Sequence, residues 1–215
     1  MINNYYQSKQ FGEPKLKFND SYLCSEFYSQ AGQDVFVLSV LNGKKGGIFL
    51  EIGASHPQII SNTFLLEKKF DWTGIQIELD EQLANQCISE RKTNVICQDA
   101  TTVDYEKLFS EHKEIDYLSL DIDGIPTLQV LERLPLDRYK IKVITFEHDF
   151  YRVGDEVRAE SRKILEKFGY FRLCSNVANG NNLFEDWYIN IDLVDLDKVK
   201  ILQSESKNWD EILFN

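Results

Sequence analysis

"GGIFLEIGASHPQIISNT", residues 46–63, carries the reading of the fold. Ile48, Phe49 and Leu50 form an apolar run that ends in a carboxylate, Glu51, followed by Ile52, Gly53 and Ala54 and then a polar loop. A continuous apolar run is the pattern of a strand buried on both faces, as in a parallel sheet. The turn after it is not a phosphate-binding one. A pyrophosphate needs amides from a glycine-rich G-x-G-x-x-G turn, and "EIGASHP" offers only Gly53.

Strand-like and helix-like segments alternate outward from this stretch. "TFLLEKKF" is rich in helix formers, with Ser61, Asn62 and Thr63 as candidate caps. "TGIQIEL" predicts a second strand. Asp80 opens a helix whose apolar face is Leu83, Ala84, Cys87 and Ile88. "NVICQDA" is a third strand, followed by a short helix with Tyr105, Leu108 and Phe109. "IDYLSLDIDG" is the fourth strand, and Pro126 suits the first turn of the helix after it. "IKVITFEHD" is the fifth, and "EVRAESRKILEKFG" is an amphipathic helix stopped by Gly169. "YFRLCSNV" and "DWYINIDLV" then follow with too short a loop for a helical crossover, so they pair antiparallel. Alternation of this kind predicts an α/β fold, a parallel sheet with helices on both faces and an antiparallel strand near its end.

The chain has 215 residues, 43% of them hydrophobic, enough for one sizeable core. Its formal net charge of -11 repels phosphate backbones and anionic lipid, which argues against nucleic acid and membrane as partners. Cys24, Cys87, Cys97 and Cys174 show no CxxC spacing, and Cys97 and Cys174 fall in apolar runs where a free thiol is a small hydrophobe. "MINNYYQSKQ" lacks the apolar segment of a signal peptide, so the expected location is cytoplasmic. Residues 1–28 stand apart as an aromatic-rich extension or lid, with Tyr5, Tyr6, Phe11, Phe18, Tyr22, Phe27 and Tyr28, ahead of a catalytic domain at 29–215.

In open parallel sheets ligands bind beyond the carboxyl ends of the strands. Every one of those ends carries an acid: Glu51, Glu78 with Asp80, Asp99, Asp121 with Asp123, and Glu147 with Asp149. One such acid is often only a helix cap. A set of them implies a cation or hydroxyl donors at the centre, because clustered carboxylates repel. A ligand with no phosphate, a positive charge and a ribose suits these acids, and S-adenosylmethionine is such a ligand. Gly53 permits close backbone approach, and Glu78, 25 residues beyond it, is placed to accept the ribose hydroxyls. The expected cofactor set is Glu51, Gly53, Ala54, Ser55, Glu78, Leu79, Asp99, Ala100 and Asp121.

At these residues the sequence resembles the FkbM-type, S-adenosylmethionine-dependent O-methyltransferases. The matching stretches are "YSQAGQDVFVL" (28–38), "GGIFLEIGA" (46–54), "SNTFLLEKKFDWTGIQIE" (61–78), "IDYLSLDIDG" (115–124), "YKIKVITFEHD" (139–149) and "DWYIN" (186–190). The resemblance implies a class I methyltransferase, Rossmann-like, with a seven-stranded sheet and an antiparallel C-terminal strand, acting on a hydroxyl of a sugar, glycan or small natural product. The chain departs from the family at Ser55-His56-Pro57, where Asn-Asp-Gly is usual.

Methyl transfer to an alcohol needs a base or a metal. His148 and Asp121 are the candidate catalytic residues. Asp121, Glu147 and His148, with Asp149 beside them, are candidate ligands for Mg²⁺ or Mn²⁺. Two alternatives stand beside this reading. One is a cofactor-binding module without catalysis. The other is a HAD-like phosphatase through Asp121 and Asp123 of "LDIDGIPTL", although Ile125 replaces the usual Thr there.

Overall fold

The computed structural model describes residues 12–111 and 115–215. Eight strands form one sheet: β1 (Ile48–Ile52), β2 (Thr73–Glu78), β3 (Asn94–Cys97), β4 (Ile115–Leu120), β5 (Ile141–Glu147), β6 (Tyr170–Asn179), β7 (Asn182–Asn190) and β8 (Ser204–Glu205). Their order is β3-β2-β1-β4-β5-β7-β6-β8. β7 pairs antiparallel with both β5 and β6, and the remaining pairings are parallel. The tight turn at Gly180-Asn181 forces that reversal, as the short loop predicts. The expected seven strands become eight because Ser204–Glu205 adds a two-residue edge beside β6.

Alternation along the strands builds two cores. Phe49, Tyr117 and Val143 point to one face, where α1 (Gln33–Val40), α2 (Phe64–Phe70) and the C-terminal α9 (Trp209–Leu213) cover them. Their neighbours Leu50, Leu118 and Ile144 point to the other face, under α4 (Tyr105–Glu111), α5 (Ile125–Arg133) and α7 (Glu156–Lys167). Every residue of β4 is buried, including the polar Asp116 and Ser119, as befits a central strand covered on both faces. β3 is an edge strand, so Cys97 is exposed rather than packed, and the four thiols are free. Between β2 and β3 lies α3 (Glu81–Glu90), where Ala84 and Cys87 are buried but Ile88 is exposed.

Ends of elements follow local chemistry. Asp80 caps α3 by accepting from the Gln82 and Leu83 amides at 2.8 and 3.0 Å. Thr63 holds the cap position of α2, but the Ser61 hydroxyl does the accepting, from the Thr63 and Phe64 amides. Gly169, at φ +84°, ends α7 in the left-handed conformation. Tyr5, Tyr6 and Phe11 lie outside the described residues. Of the other N-terminal aromatics, Phe18 is buried, Phe27 stacks edge-on against Trp209, Tyr28 stacks edge-on against Phe64, and Tyr22 is exposed. Pro14 bridges to Phe214, joining this segment to α9. Among the described residues no helix is long and apolar enough to cross a membrane.

Candidate functional site

The strand order turns at β1 and β4: β2 and β3 lie to one side, β5 to the other. The loops leaving β1 and β4 therefore diverge, and a crevice opens beyond their carboxyl ends. A cleft of about 620 Å³ lies there. Its walls include Gly53, Ser55, Glu78, Leu79, Asp99, Ala100 and Asp121 from the expected cofactor set.

Gly53 sits at φ +90°, with its amide bonded to the Ile77 carbonyl at 2.9 Å. A methyl group on it would overlap the Asp121 carbonyl, so only glycine lets the ends of β1 and β4 lie this close. Glu78 is buried and held at both oxygens: the Ser55 amide donates to one at 2.7 Å and the Asp80 amide to the other at 2.8 Å. Each oxygen keeps a lone pair, so the carboxylate is oriented but not saturated. Ser55 presents its amide from a left-handed backbone, φ +51°. Asp99 caps the turn at Ala100–Thr102 through the Thr101 amide and hydroxyl at 2.8 and 2.7 Å, and that hydroxyl bond leads the lowering of its carboxyl below the ordinary range. Leu79, Leu83, Ile122 and Ala100 add apolar surface around Glu78.

Two residues of the expected set do not line the cleft. Ala54 is buried behind it. Glu51 points into a polar row that crosses the sheet, where it is paired in register with Gln76 on β2 and Ser119 on β4. It accepts from Gln76 Nε2 at 2.6 Å, Thr63 Oγ1 at 2.6 Å and the Asn62 amide at 3.0 Å. Arg91, buried as well, ties this network to the loop: it donates to the Pro57 carbonyl, Ser61, Thr63 and Glu67. The acid that ends the first apolar run therefore anchors residues 57–63 from behind. Burial raises the Glu51 carboxyl, with Arg91 opposing. In the loop, His56 Nδ1 accepts from the Gln58 and Ile59 amides, a use of the ring within the turn itself.

The far half of the cleft is acidic. Asp121, Asp123 and Glu147 line it with Gln129, Tyr151 and Gln30, and among the described residues no lysine or arginine does. Gln30 is placed by the buried Asp34, which accepts from the Tyr28 and Ser29 amides and the Ser29 hydroxyl. Burial raises Glu147 to about 11, with the facing Asp121 adding to it, and Asp121 is raised by burial too while hydrogen-bonded to Glu147. Two buried carboxyls facing each other in this way favour holding one proton between them. Asp149 is raised by burial, against Arg152.

His148 is not part of this wall. Its ring is fully buried, Nδ1 accepts from the Phe150 amide at 3.2 Å, and Nε2 lies 3.5 Å from Asp186 Oδ1, too far for a good hydrogen bond. Asp186 is gripped by Arg162 at 2.7 and 2.9 Å. Alternation explains the placement. Glu147 turns toward the cleft, so the next residue turns away, under β7. The oxygens that do converge belong to Asp123, Glu147 and Asp149, all within 4.8 Å of one another. The metal set Asp121, Glu147 and His148 is thereby revised to three carboxylates, an oxygen-only donor set that fits Mg²⁺ or Mn²⁺. Asp123 reaches the set because its own φ, +64°, turns it back toward β5, which strand periodicity does not signal.

No protein-family profile and no curated protein matches the sequence. Solved structures match in shape. A putative caffeoyl-CoA O-methyltransferase from Staphylococcus aureus aligns with a TM-score of 0.56 at 15% identity, over 77% of this chain and 85% of that one. The N-terminal domain of EvdMO1 with SAH bound aligns at 0.50 and 14% identity, over 80% and 84%. A chain of the fibrillarin/Nop5p complex aligns at 0.52 and 12% identity, over 74% and 79%. The protein has the class I, Rossmann-like methyltransferase fold. A shared fold at this identity says nothing of the acceptor, so the exclusion of nucleic acid rests on charge alone.

Proposed function

We propose that the protein is an S-adenosylmethionine-dependent O-methyltransferase of the FkbM kind, acting on a hydroxyl of a sugar, glycan or small natural-product acceptor. The observation that carries this reading is Glu78: a buried carboxylate, oriented by two backbone amides, at the end of β2 in a cleft with no phosphate-binding turn. It accepts the two ribose hydroxyls, as Gly53 lets the methionine portion pass close to the backbone. Leu79, Ala100 and Ile122 offer apolar contact to the adenine beside Asp99 and Thr101. The acidic half of the cleft attracts the sulfonium.

The acceptor oxygen forms its bond to the methyl carbon as the carbon–sulfur bond breaks and its electron pair stays on sulfur. The acceptor's proton passes to the Asp121–Glu147 pair, whose shared proton leaves one carboxylate free to take it. With a divalent ion held by Asp123, Glu147 and Asp149, the shared proton would be displaced and Asp121 left as the base, and the ion would supply Lewis acidity toward that hydroxyl. The phosphatase alternative loses its support, since "DIDG" follows the fourth strand rather than the first, and the Thr usual after its glycine is Ile125. Calorimetry with S-adenosylhomocysteine and methyl transfer from labelled S-adenosylmethionine to a panel of glycosides and RNAs test the reading. Binding with transfer to glycosides supports it. Binding without transfer to any acceptor favours the non-catalytic module, and transfer to RNA alone would overturn the acceptor class.

A further inference from the structure

Arg152 already seats a cation on the acidic cluster. It lies on α6 (Phe150–Val153), and its Nη2 is 2.8 Å from Asp123 Oδ1 and 2.7 Å from Asp149 Oδ2. Both ion pairs use the one nitrogen, and the side chain is 45% exposed. The Asp149 carboxylate is 1% exposed, and neither of its oxygens receives a well-formed hydrogen bond. A buried carboxylate left in that condition is costly. One guanidinium therefore faces three converging carboxylates, with Asp121 beside them, and leaves Asp149 underserved. The cluster has more negative charge than its internal cation neutralises, and that cation has an open path to water.

We propose that Arg152 is a displaceable counter-ion: it holds Asp123 and Asp149 together in the metal-free protein and swings into solvent when a divalent cation binds Asp123, Glu147 and Asp149. The inference rests on the metal-assisted form of the function proposed above. Binding of the ion and release of Arg152 are then coupled, and the arginine weakens the site for weakly charged or monovalent ions, which cannot outcompete it. Arg152 also adjoins Tyr151 on the cleft wall, so its release changes the acceptor side of the cleft as the ion binds.

The test is titration of the full chain with Mn²⁺ alone, followed by the electron paramagnetic resonance of free Mn²⁺. Arg152→Met should bind Mn²⁺ about tenfold more tightly than the parent. Arg152→Lys should stay near the parent, and Lys163→Met, which removes a positive charge paired to Glu160 outside the cluster, should leave affinity unchanged. Equal affinity in the parent and Arg152→Met overturns the proposal, as does an equal gain in Lys163→Met, which would mean net charge alone. Weaker binding in Arg152→Met overturns it too, because the arginine would then be organising the site. Absence of Mn²⁺ binding in every variant removes the metal reading with it. Titration of the same samples with S-adenosylhomocysteine checks their folding and tests the cofactor reading separately.

Discussion

At the scale of the residue, the site depends on a few atoms with no substitute. Glu78→Ala should weaken S-adenosylhomocysteine binding by about 1.5–3 kcal/mol, since it removes charge-assisted bonds to the ribose and frees the Ser55 and Asp80 amides. Calorimetry checks this, and parent-like affinity would remove Glu78 from the site. Gly53→Ala should cost about 2 kcal/mol or more of stability, because φ +90° and the Asp121 carbonyl both oppose a side chain. Ser55→Gly should act the other way and raise the melting temperature slightly, since Ser55 occupies a left-handed conformation that glycine adopts without strain. The placement of Gly53 and Glu78 on the cleft wall was legible from residue types at strand ends. The role of Glu51 was not, because a carboxylate facing a cleft and one facing a buried arginine look alike in sequence.

At the scale of the element, the loop from β1 to α2 is shaped from outside itself. Arg91, at the end of α3, satisfies the Pro57 carbonyl and the Ser61 and Thr63 hydroxyls while paired with Glu67 at 2.9 Å. Arg91→Met should cost about 3–5 kcal/mol, because the buried Glu51 and the half-buried Glu67 are left without their cation. The same change should weaken cofactor binding, although Arg91 is not in the cleft, and Arg91→Lys should not rescue it, since an ammonium cannot serve four partners in a fork. Thermal melts and calorimetry on both variants check this. Sequence periodicity showed α3 and its cap at Asp80 directly. It did not show that the helix ends on a residue reaching across to another loop, which depends on how α3 packs beside α2. His148 belongs to this scale as well. Its neighbours in sequence are acids of the cleft, yet strand alternation sends its own ring behind them to Asp186.

For the whole molecule, burial of carboxylates sets the pH response. Asp34, Glu51, Asp121, Glu147, Asp149 and Glu185 are all raised, chiefly by desolvation. Desolvation would raise Asp116 and Asp186 too, but Lys142 and Lys44 hold the first below the ordinary range, and His148 with Arg162 hold the second. A raised group binds its proton more tightly in the folded chain, so its contribution is full below the ordinary carboxylate range and is lost as pH climbs to the folded value. The lowered pair act oppositely and lose their contribution only in strong acid. The melting temperature of the metal-free protein should therefore fall as pH climbs from the ordinary carboxylate range toward the Glu147 value of about 11. Glu147→Gln should flatten that fall, stabilise the protein at the upper end by about 1 kcal/mol or more, and weaken Mn²⁺ binding. A melting temperature independent of pH would mean the cations already compensate the cluster. The order of strands and helices, the antiparallel hairpin and the acids at the strand ends were determined by the sequence alone. Each depends on hydrophobic periodicity, cap chemistry and loop length, and these act within a few residues. Which acids meet was decided only by the tertiary structure. Glu51 lies beside Gln76 and behind the cleft, and Asp123 and Asp149 converge with Glu147 while His148 turns away. Those outcomes come from sheet register and from backbone turns at positive φ, which join residues distant in the chain and leave no period in it.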